Sequence, residues 1–266
     1  MKCASAGMLF MLAVVGWSST EERQSPVRTP IAKAGNVKED EWGTIRGQVL
    51  FAGASLPKAK QLDVNKDQMH CLEKGPLFDE EFVVNPASKG VQYAVVFLKP
   101  PKGETLPIHP SLKEPNPKEA VLDQPRCAFV PHVLAIRSDQ KLVAKNPSPV
   151  AHNIVITGFN NSYNRQIPSG KEDSYTLEPE DRAIALTCGA HPWMKGFLWV
   201  FDHPYFAVTD ADGKFEIKNA PAGERSVVMW HEKVGWLDPK TGKNGKKISI
   251  KAGDVTDVGK IEIKPE

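Results

Sequence analysis

Short stretches in which apolar and polar residues alternate recur along the chain and predict β-strands. In GTIRGQVLF, residues 43–51, the apolar positions Ile45, Val49 and Phe51 alternate with polar neighbours. Similar runs separated by turn residues follow through residues 119–203 and again through residues 204–266. No stretch with helical periodicity extends beyond about ten residues. The pattern therefore predicts an all-β protein built from sandwiches.

One run is apolar on both faces. In VQYAVVFLK, residues 91–99, the positions Val95 and Phe97 alternate with Val96 and Leu98, so neither face is polar. A strand of this kind is typical of a sheet that is covered on both sides. We therefore expect this strand to lie between two layers.

The N-terminus has the features of a secretion signal. Lys2 precedes an apolar stretch from Gly7 to Trp17, which is too short to span a bilayer that needs about 20 residues. Residues 1–20 are predicted to be a signal peptide and residues 21–42 a polar linker. We expect a protein without a transmembrane segment, exported to the periplasm or the cell surface.

The number of cysteines bears on their pairing. The four cysteines are Cys3, Cys71, Cys127 and Cys188, and Cys3 would leave with the signal peptide. Three remain, an odd number for an oxidising compartment. The simplest interpretation is a disulfide between Cys71 and Cys127 that leaves Cys188 free. Two free thiols, or a second metal site formed by one thiol with His70 or His132, stay open as alternatives.

The overall charge excludes some partners. The formal net charge is +2, and 25% of the residues are charged. A balance of this kind gives no strong field that would attract nucleic acid or an acidic membrane surface. We expect no nucleic-acid partner, and the oligomeric state stays open.

The motif TCGAHPWM, residues 187–194, places Cys188, His191 and Met194 three residues apart. Because side chains alternate along a strand, Cys188 continues the inward apolar row of RAIALTC. His152 likewise begins the inward row of HNIVITGF. If the two strands are neighbours, the thiol and the imidazole meet at one end of a sandwich, and the loop can bring His191 and Met194 to the same point.

Two imidazoles, a thiolate and a thioether are the ligands of a blue-copper electron-transfer site. Met194 argues against structural zinc, which takes nitrogen, sulfur-anion and oxygen ligands. A loop that holds no metal is a further alternative. A nucleophilic pair of Cys188 with a histidine would need an orienting third group, of which the sequence has no trace. We therefore expect a metal-binding protein that is not an enzyme.

These residues resemble the cupredoxins, the small blue copper proteins. The chain has AHNIVI with His152 and Asn153, and the short loop CGAHPWM is most similar to the amicyanin and pseudoazurin branch. The resemblance implies one type 1 copper ion in a Greek-key sandwich over residues 119–203. It also implies that a backbone amide near Asn153 bonds to the thiolate, that the Asn153 side chain braces the ligand loop, and that His191 is the ligand nearest to solvent.

The family resemblance also implies a function and partners. Cupredoxins shuttle single electrons, so we expect a redox partner such as a dehydrogenase or a c-type cytochrome, which would dock near His191 and Trp193. Trp193 would shield the copper edge or offer an apolar contact, although packing alone also explains it. Two other hypotheses are a copper storage or delivery protein and a non-redox binding module made of two sandwiches.

The C-terminal part resembles a second family. TDADGKFEI followed by APAG, within residues 204–266, is similar to the recurring hairpin of transthyretin-like or carboxypeptidase-regulatory sandwiches. This resemblance implies a structural module. Residues 43–118 are predicted as a separate N-terminal β segment, and the alternative is that they complete the C-terminal sandwich, with the copper domain inserted between its halves.

Three other histidines carry no clear chemistry. His132 is predicted at a surface or interface position, and His203 and His231 are each expected to be surface or hydrogen-bonded residues.

Overall fold

Sixteen β-strands dominate residues 42–265, the part of the chain that the computed structural model describes. In chain order they are β1 (Trp42–Phe51), β2 (Val95–Lys99), β3 (Glu119–Asp123), β4 (Val133–Arg137), β5 (Lys141–Asn146), β6 (His152–Thr157), β7 (Ser162–Ile167), β8 (Lys171–Tyr175), β9 (Ile184–Thr187), β10 (Lys195–Phe201), β11 (Phe206–Val208), β12 (Lys214–Pro221), β13 (Gly223–His231), β14 (Gly235–Trp236), β15 (Lys246–Ile250) and β16 (Val255–Ile263). Helix α1 (Gln68–Cys71) and two 3-10 helices (Pro110–Leu112 and Gly242–Asn244) are short. The predicted all-β fold class is confirmed.

The predicted signal peptide, residues 1–20, and the predicted linker up to residue 41 lie outside the described residues. Strand β1 begins at Trp42, the residue at which the predicted linker ended. Within residues 42–265, none of the helices has the length and apolar character needed to cross a membrane.

Strands β3 to β10 form what we call the first sandwich. Its two sheets have the strand orders β4-β10-β9-β6-β7 and β3-β5-β8. Their inner faces share one apolar core, which includes Leu142, Ile156 and Leu198, each at most 1% exposed. Full burial of a side chain of this size contributes roughly 1.5–3 kcal/mol. Shifting a strand by one residue would turn its apolar row outward, so this core fixes the strand register.

The remaining strands form the second sandwich. One of its sheets has the order β12-β1-β16, and the other has the order β11-β2-β13-β14 with β15 beside β13. Strand β1 pairs antiparallel with β12 and parallel with β16, so the N-terminal strand lies between strands from the C-terminal part of the chain. The domain boundaries and the resemblance to transthyretin-like sandwiches remain predictions.

Strand β2 is buried on both faces, as its sequence predicts. Val96 and Leu98 belong to the core of the second sandwich. Val95 and Phe97 point the other way and pack in an apolar cluster with Trp199 of β10, which belongs to the first sandwich. The two sandwiches therefore share an apolar interface through β2.

The connection between β1 and β2 packs against the first sandwich, although both strands belong to the second. Val64 and Cys71 in this connection are buried in the core of the first sandwich. Helix α1, which ends at Cys71, lies in the same connection. This arrangement brings a segment from early in the chain to the loop between β9 and β10.

Candidate metal centre

Strands β6 and β9 bring His152 and Cys188 to one end of the first sandwich. The strands pair antiparallel, with Ile156 opposite Leu186. His152 begins β6 and Cys188 directly follows β9, and their side chains are 0% and 3% exposed. The backbone N–H of Asn153 donates a hydrogen bond to the Cys188 Sγ at 3.2 Å. The prediction that both residues continue inward-facing rows of neighbouring strands is confirmed.

The loop between β9 and β10 folds His191 back over this end of the sandwich. The backbone N–H of Met194 donates to the carbonyl of His191 at 2.9 Å and so closes a tight turn before β10. The Nδ1 atom of His191 lies 2.9 Å from Nδ1 of His152 and 3.8 Å from Sγ of Cys188. One donor atom from each of these three residues lies within 4.8 Å of the other two.

The donor atoms fit a single transition-metal ion. Nitrogen and sulfur ligands lie about 2.0–2.3 Å from such an ion, so two of them are at most about 4.6 Å apart. The separations of 2.9 Å and 3.8 Å are well below that limit. Within residues 42–265, Nε2 of His152 is also a buried nitrogen without a hydrogen-bond partner. The atom of His152 that faces the cluster is Nδ1, so it is the convergence of the three donor atoms that indicates a ligand site.

The protonation of His152 suits a ligand. Burial and the neighbouring His191 lower the pKa of His152 from 6.5 to about 4. The imidazole is therefore neutral at pH 7, and a metal binds only the neutral form. Together with a thiol and a second imidazole, it could hold a metal ion.

The two other loop residues are buried beside the cluster. Met194 is 1% exposed and lies in the core of the first sandwich. Trp193 is 9% exposed, and its ring centroid lies 5.1 Å from that of His191. The indole N–H of Trp193 donates to the carbonyl of Cys127 at 3.1 Å. Trp193 thus packs on a predicted ligand and is anchored at its far edge.

Asn153 is only partly in the role that the cupredoxin resemblance implies. Its backbone N–H bonds to the Cys188 sulfur as expected. Its side-chain amide, however, donates to Oδ1 of Asn164 at 3.1 Å, and Asn164 lies on β7. The expected brace to the ligand loop is therefore wrong as a hydrogen bond. Strand β7 pairs with β6 so that Asn164 stands opposite Val155, two residues along the strand from Asn153, which brings the two amide side chains together.

His191, the ligand expected to lie nearest to solvent, is covered by another part of the chain. Its side chain is 0% exposed, and Nε2 lies 2.8 Å from Oδ2 of Asp67. Asp67 precedes α1 in the connection between β1 and β2 and covers the histidine edge. Nothing in the local sequence of Asp67 predicts this contact, because it joins positions that are 124 residues apart.

The predicted disulfide between Cys71 and Cys127 is confirmed. Their Cα atoms are 5.4 Å apart, and Cys188 is the free cysteine of the described residues. The two sulfurs also lie within 4.8 Å of a nitrogen of His191. Because they are bonded to each other, they are not available as thiolate ligands, which excludes the alternative second site of one thiol with His70 or His132.

His132, His203 and His231 are buried and hydrogen-bonded. The expectation of a hydrogen-bonded residue is thus confirmed for His203 and His231, and none of the three lies at the surface. His132 lies 2.6 Å from a carboxylate oxygen of Glu232. Burial lowers the pKa of His132, but the hydrogen bond and charge of Glu232 outweigh it and raise that pKa overall. His203 accepts from the Tyr205 N–H at 3.1 Å, and His231 bonds to the Gln92 carbonyl at 3.1 Å. None of the three points to a ligand.

Comparison with solved structures finds proteins that are similar to part of this chain. A copper-containing nitrite reductase (NirK) from Thermus scotoductus SA-01 is 19% identical over 31% of this chain and 22% of its own, with a TM-score of 0.28. A purple cupredoxin from Nitrosopumilus maritimus is 22% identical over 30% of this chain and 98% of its own, with a TM-score of 0.27. A reduced Cu(I) form of an amicyanin mutant is 14% identical over 40% of this chain and 97% of its own, with a TM-score of 0.28.

These similarities concern the fold of a limited part of the chain. The chain spans only about a fifth of the nitrite reductase that it matches, and each protein covers less than half of this chain. No protein-family model matches the chain, and no curated protein matches it. At these identities and TM-scores, no chemistry passes from those proteins to this one.

Proposed function

We propose that this protein is an exported mononuclear copper protein that transfers single electrons and converts no substrate. The observation that carries the proposal is the buried cluster of His152, Cys188 and His191, whose donor atoms converge within 4.8 Å. When bound, copper supplies one-electron exchange between Cu(I) and Cu(II). His152, Cys188 and His191 would hold it, and Met194 would be a weak fourth ligand.

The chain contributes rigidity and a balanced donor set. The thiolate and thioether favour Cu(I), whereas the imidazoles also suit Cu(II). Two of the three converging donors stand at the ends of paired strands, so the set has little freedom to rearrange. The Asn153 N–H that bonds to the Cys188 sulfur withdraws electron density from it and so tunes its donor strength. A donor set that rearranges little favours fast electron exchange.

The burial of the ligands supports electron transfer over catalysis. His152, Cys188, His191 and Met194 are all at most 3% exposed. A catalytic metal keeps an open position for water or substrate, and ligands this deeply buried leave little access for either. Electrons, in contrast, can reach an ion through a thin layer of protein. The proposed partners are therefore redox proteins, such as a dehydrogenase or a c-type cytochrome.

Export is supported by the disulfide between Cys71 and Cys127. Disulfides persist in oxidising compartments and are rare in the reducing cytosol. The periplasm or the cell surface is the proposed location.

Redox cycling of the loaded protein separates electron transfer from storage. The protein is loaded with one equivalent of copper, reduced with ascorbate and reoxidised with ferricyanide over several cycles. Electron transfer requires that the visible colour disappears and returns in full each time, with no copper lost on gel filtration. A protein that holds Cu(I) but releases the metal or stays colourless on oxidation is a storage or delivery protein, and a protein that holds no copper is a binding module. The Cys188→Ser variant serves as the control and should show no colour in either state.

A further inference from the structure

The carboxylate of Asp67 reaches the histidine that closes the donor cluster. Its Oδ2 lies 2.8 Å from Nε2 of His191, whose side chain is fully buried, while the Asp67 side chain is 32% exposed. We propose that Asp67 is a positioning residue of the metal site, which fixes the tautomer of His191 and covers it from solvent. This inference rests on the proposed function and names the residue that prepares the site for its metal.

The tautomer argument follows from the chemistry of the two groups. An ionised carboxylate only accepts hydrogen bonds, so Nε2 of His191 must carry the proton that it donates to Asp67. A neutral imidazole with its proton on Nε2 has its lone pair on Nδ1. Nδ1 is the atom that faces both His152 and Cys188. Asp67 thus directs the lone pair of His191 into the donor cluster, as carboxylate–histidine pairs do at metal sites.

The backbone of Asp67 is arranged for this contact rather than for capping a helix. Asp67 has φ 48° and ψ 34°, in the left-handed region that aspartate tolerates better than most residues. It stands at the N-cap of α1, where an aspartate side chain ordinarily bonds to the first backbone N–H groups. Here the side chain makes no capping bond, and its carboxylate turns to His191 instead.

The residues that cover His191 are held in place on both sides of its ring. The backbone carbonyl of Asp67 accepts the N–H of Cys71 at 3.0 Å, so the carboxylate and Cys71 belong to one rigid turn. Cys71 is bonded to Cys127, and the carbonyl of Cys127 accepts the indole N–H of Trp193. Trp193 packs on the ring of His191. These contacts together surround the edge of the His191 ring. Among the residues that make them, only Asp67 forms a hydrogen bond to the imidazole.

Two substitutions separate the effect of losing the whole Asp67 carboxylate from the effect of losing only its charge. Asp67→Gly removes the carboxylate, and glycine adopts a positive φ without strain. Asp67→Asn keeps an acceptor oxygen and tolerates the same backbone, but removes the charge. Asp63→Asn is the matched control, because it makes the same charge change at an exposed position in the same connection. All variants are studied as full chains with the disulfide intact.

Two readouts test the proposal. In the metal-free wild type, the nitrogen chemical shifts of the imidazoles should identify His191 as the Nε2–H tautomer, and Asp67→Gly should shift its population towards Nδ1–H. Competition with a chelator should show Cu(II) affinity about 10–100-fold weaker in Asp67→Gly, an intermediate loss in Asp67→Asn, and none in Asp63→Asn. If Asp67→Gly does not fold, Asp67→Asn carries the comparison.

The outcomes distinguish this proposal from the function on which it rests. An Nδ1–H tautomer in the metal-free wild type would overturn the role of Asp67, and so would equal Cu(II) affinity in Asp67→Gly and Asp63→Asn. If the wild type bound no copper, the proposed function would fail, whereas the tautomer measurement would still decide whether Asp67 directs the lone pair of His191.

Discussion

The molecule buries imidazoles in two regions that satisfy them in different ways. At the end of β13 in the second sandwich, His231 is 1% exposed, bonds through Nε2 to the Gln92 carbonyl and accepts the Lys233 N–H at Nδ1. At the end of the first sandwich, His152 is fully buried, its Nδ1 faces a second imidazole, and its Nε2 has no partner within the described residues.

The two histidines nevertheless have the same ionisation. Burial is the leading cause in both cases and lowers the pKa of each to about 4. A perturbed pKa therefore does not distinguish a structural histidine from a ligand in this protein. The distinction lies in the partners: His231 is satisfied by the backbone, whereas His152 converges with Cys188 and His191 and keeps an unpaired nitrogen. The convergence of donor atoms from three residues is what indicates a metal.

The largest expected effect tests this distinction through metal-dependent stability. A ligand that binds only the folded state at a concentration a thousandfold above its Kd raises the free energy of unfolding by about 4 kcal/mol. We expect copper to give an increase of this size in the wild type and in His231→Leu, and none in His152→Leu. Urea denaturation with and without copper measures it. A copper effect that survives in His152→Leu, or disappears in His231→Leu, would remove the basis for separating the two regions.

The second effect is a loss of folding stability at low pH, caused by the buried His231. The pKa of His231 falls from 6.5 in the unfolded chain to about 4 in the fold. Between these values the unfolded chain binds a proton that the folded protein does not, so stability is fully present above pH 6.5 and is lost as the pH falls towards 4. At about 1.4 kcal/mol for each unit of pKa, the loss is about 3 kcal/mol.

Unfolding measured from pH 7 to pH 4 on the metal-free protein tests this loss. As the pH falls, the free energy of unfolding should decrease more steeply in the wild type than in His231→Leu. The difference in slope should correspond to the uptake of about one proton on unfolding. Equal slopes in the two proteins would mean that His231 is protonated in the fold as readily as in the unfolded chain.

The smallest effect compares the two histidines in the metal-free protein at pH 8. Replacing His231 by Leu leaves the Gln92 carbonyl and the Lys233 N–H without partners, so the free energy of unfolding should fall by about 1–3 kcal/mol. Replacing His152 by Leu removes one imidazole contact and one unpaired buried nitrogen, and these changes oppose each other. We expect a change of less than about 1 kcal/mol. If His152→Leu were the more destabilising of the two, His152 would be a structural histidine.

Much of the first sandwich and its donor cluster could be predicted because the signals are local. The period of two along β6 and β9 fixes which way His152 and Cys188 point, and the apolar core holds that phase. The odd number of cysteines left Cys188 free. Strand β2 was predicted as a two-sided strand for the same reason, since its apolar residues occupy both phases.

The cover over the site could not be predicted because its contacts are distant in sequence. Asp67 lies in a connection without periodicity, and its position depends on the disulfide and on the packing of that connection against the first sandwich. The pairing of His132 with Glu232 is likewise formed between residues 100 positions apart. Polar residues in loops do not follow the alternation of a strand, so the sequence does not predict which way their side chains point. Their partners can be identified only from the folded structure.

The central claim is that His152, Cys188 and His191 hold one copper ion through a thiolate bond. Titration of the metal-free protein with Cu(II), followed by visible absorption, tests it most directly. The account predicts an intense thiolate-to-copper band that saturates at one equivalent, and its absence in Cys188→Ser. A colourless adduct, no binding, or a band that persists in Cys188→Ser would contradict it.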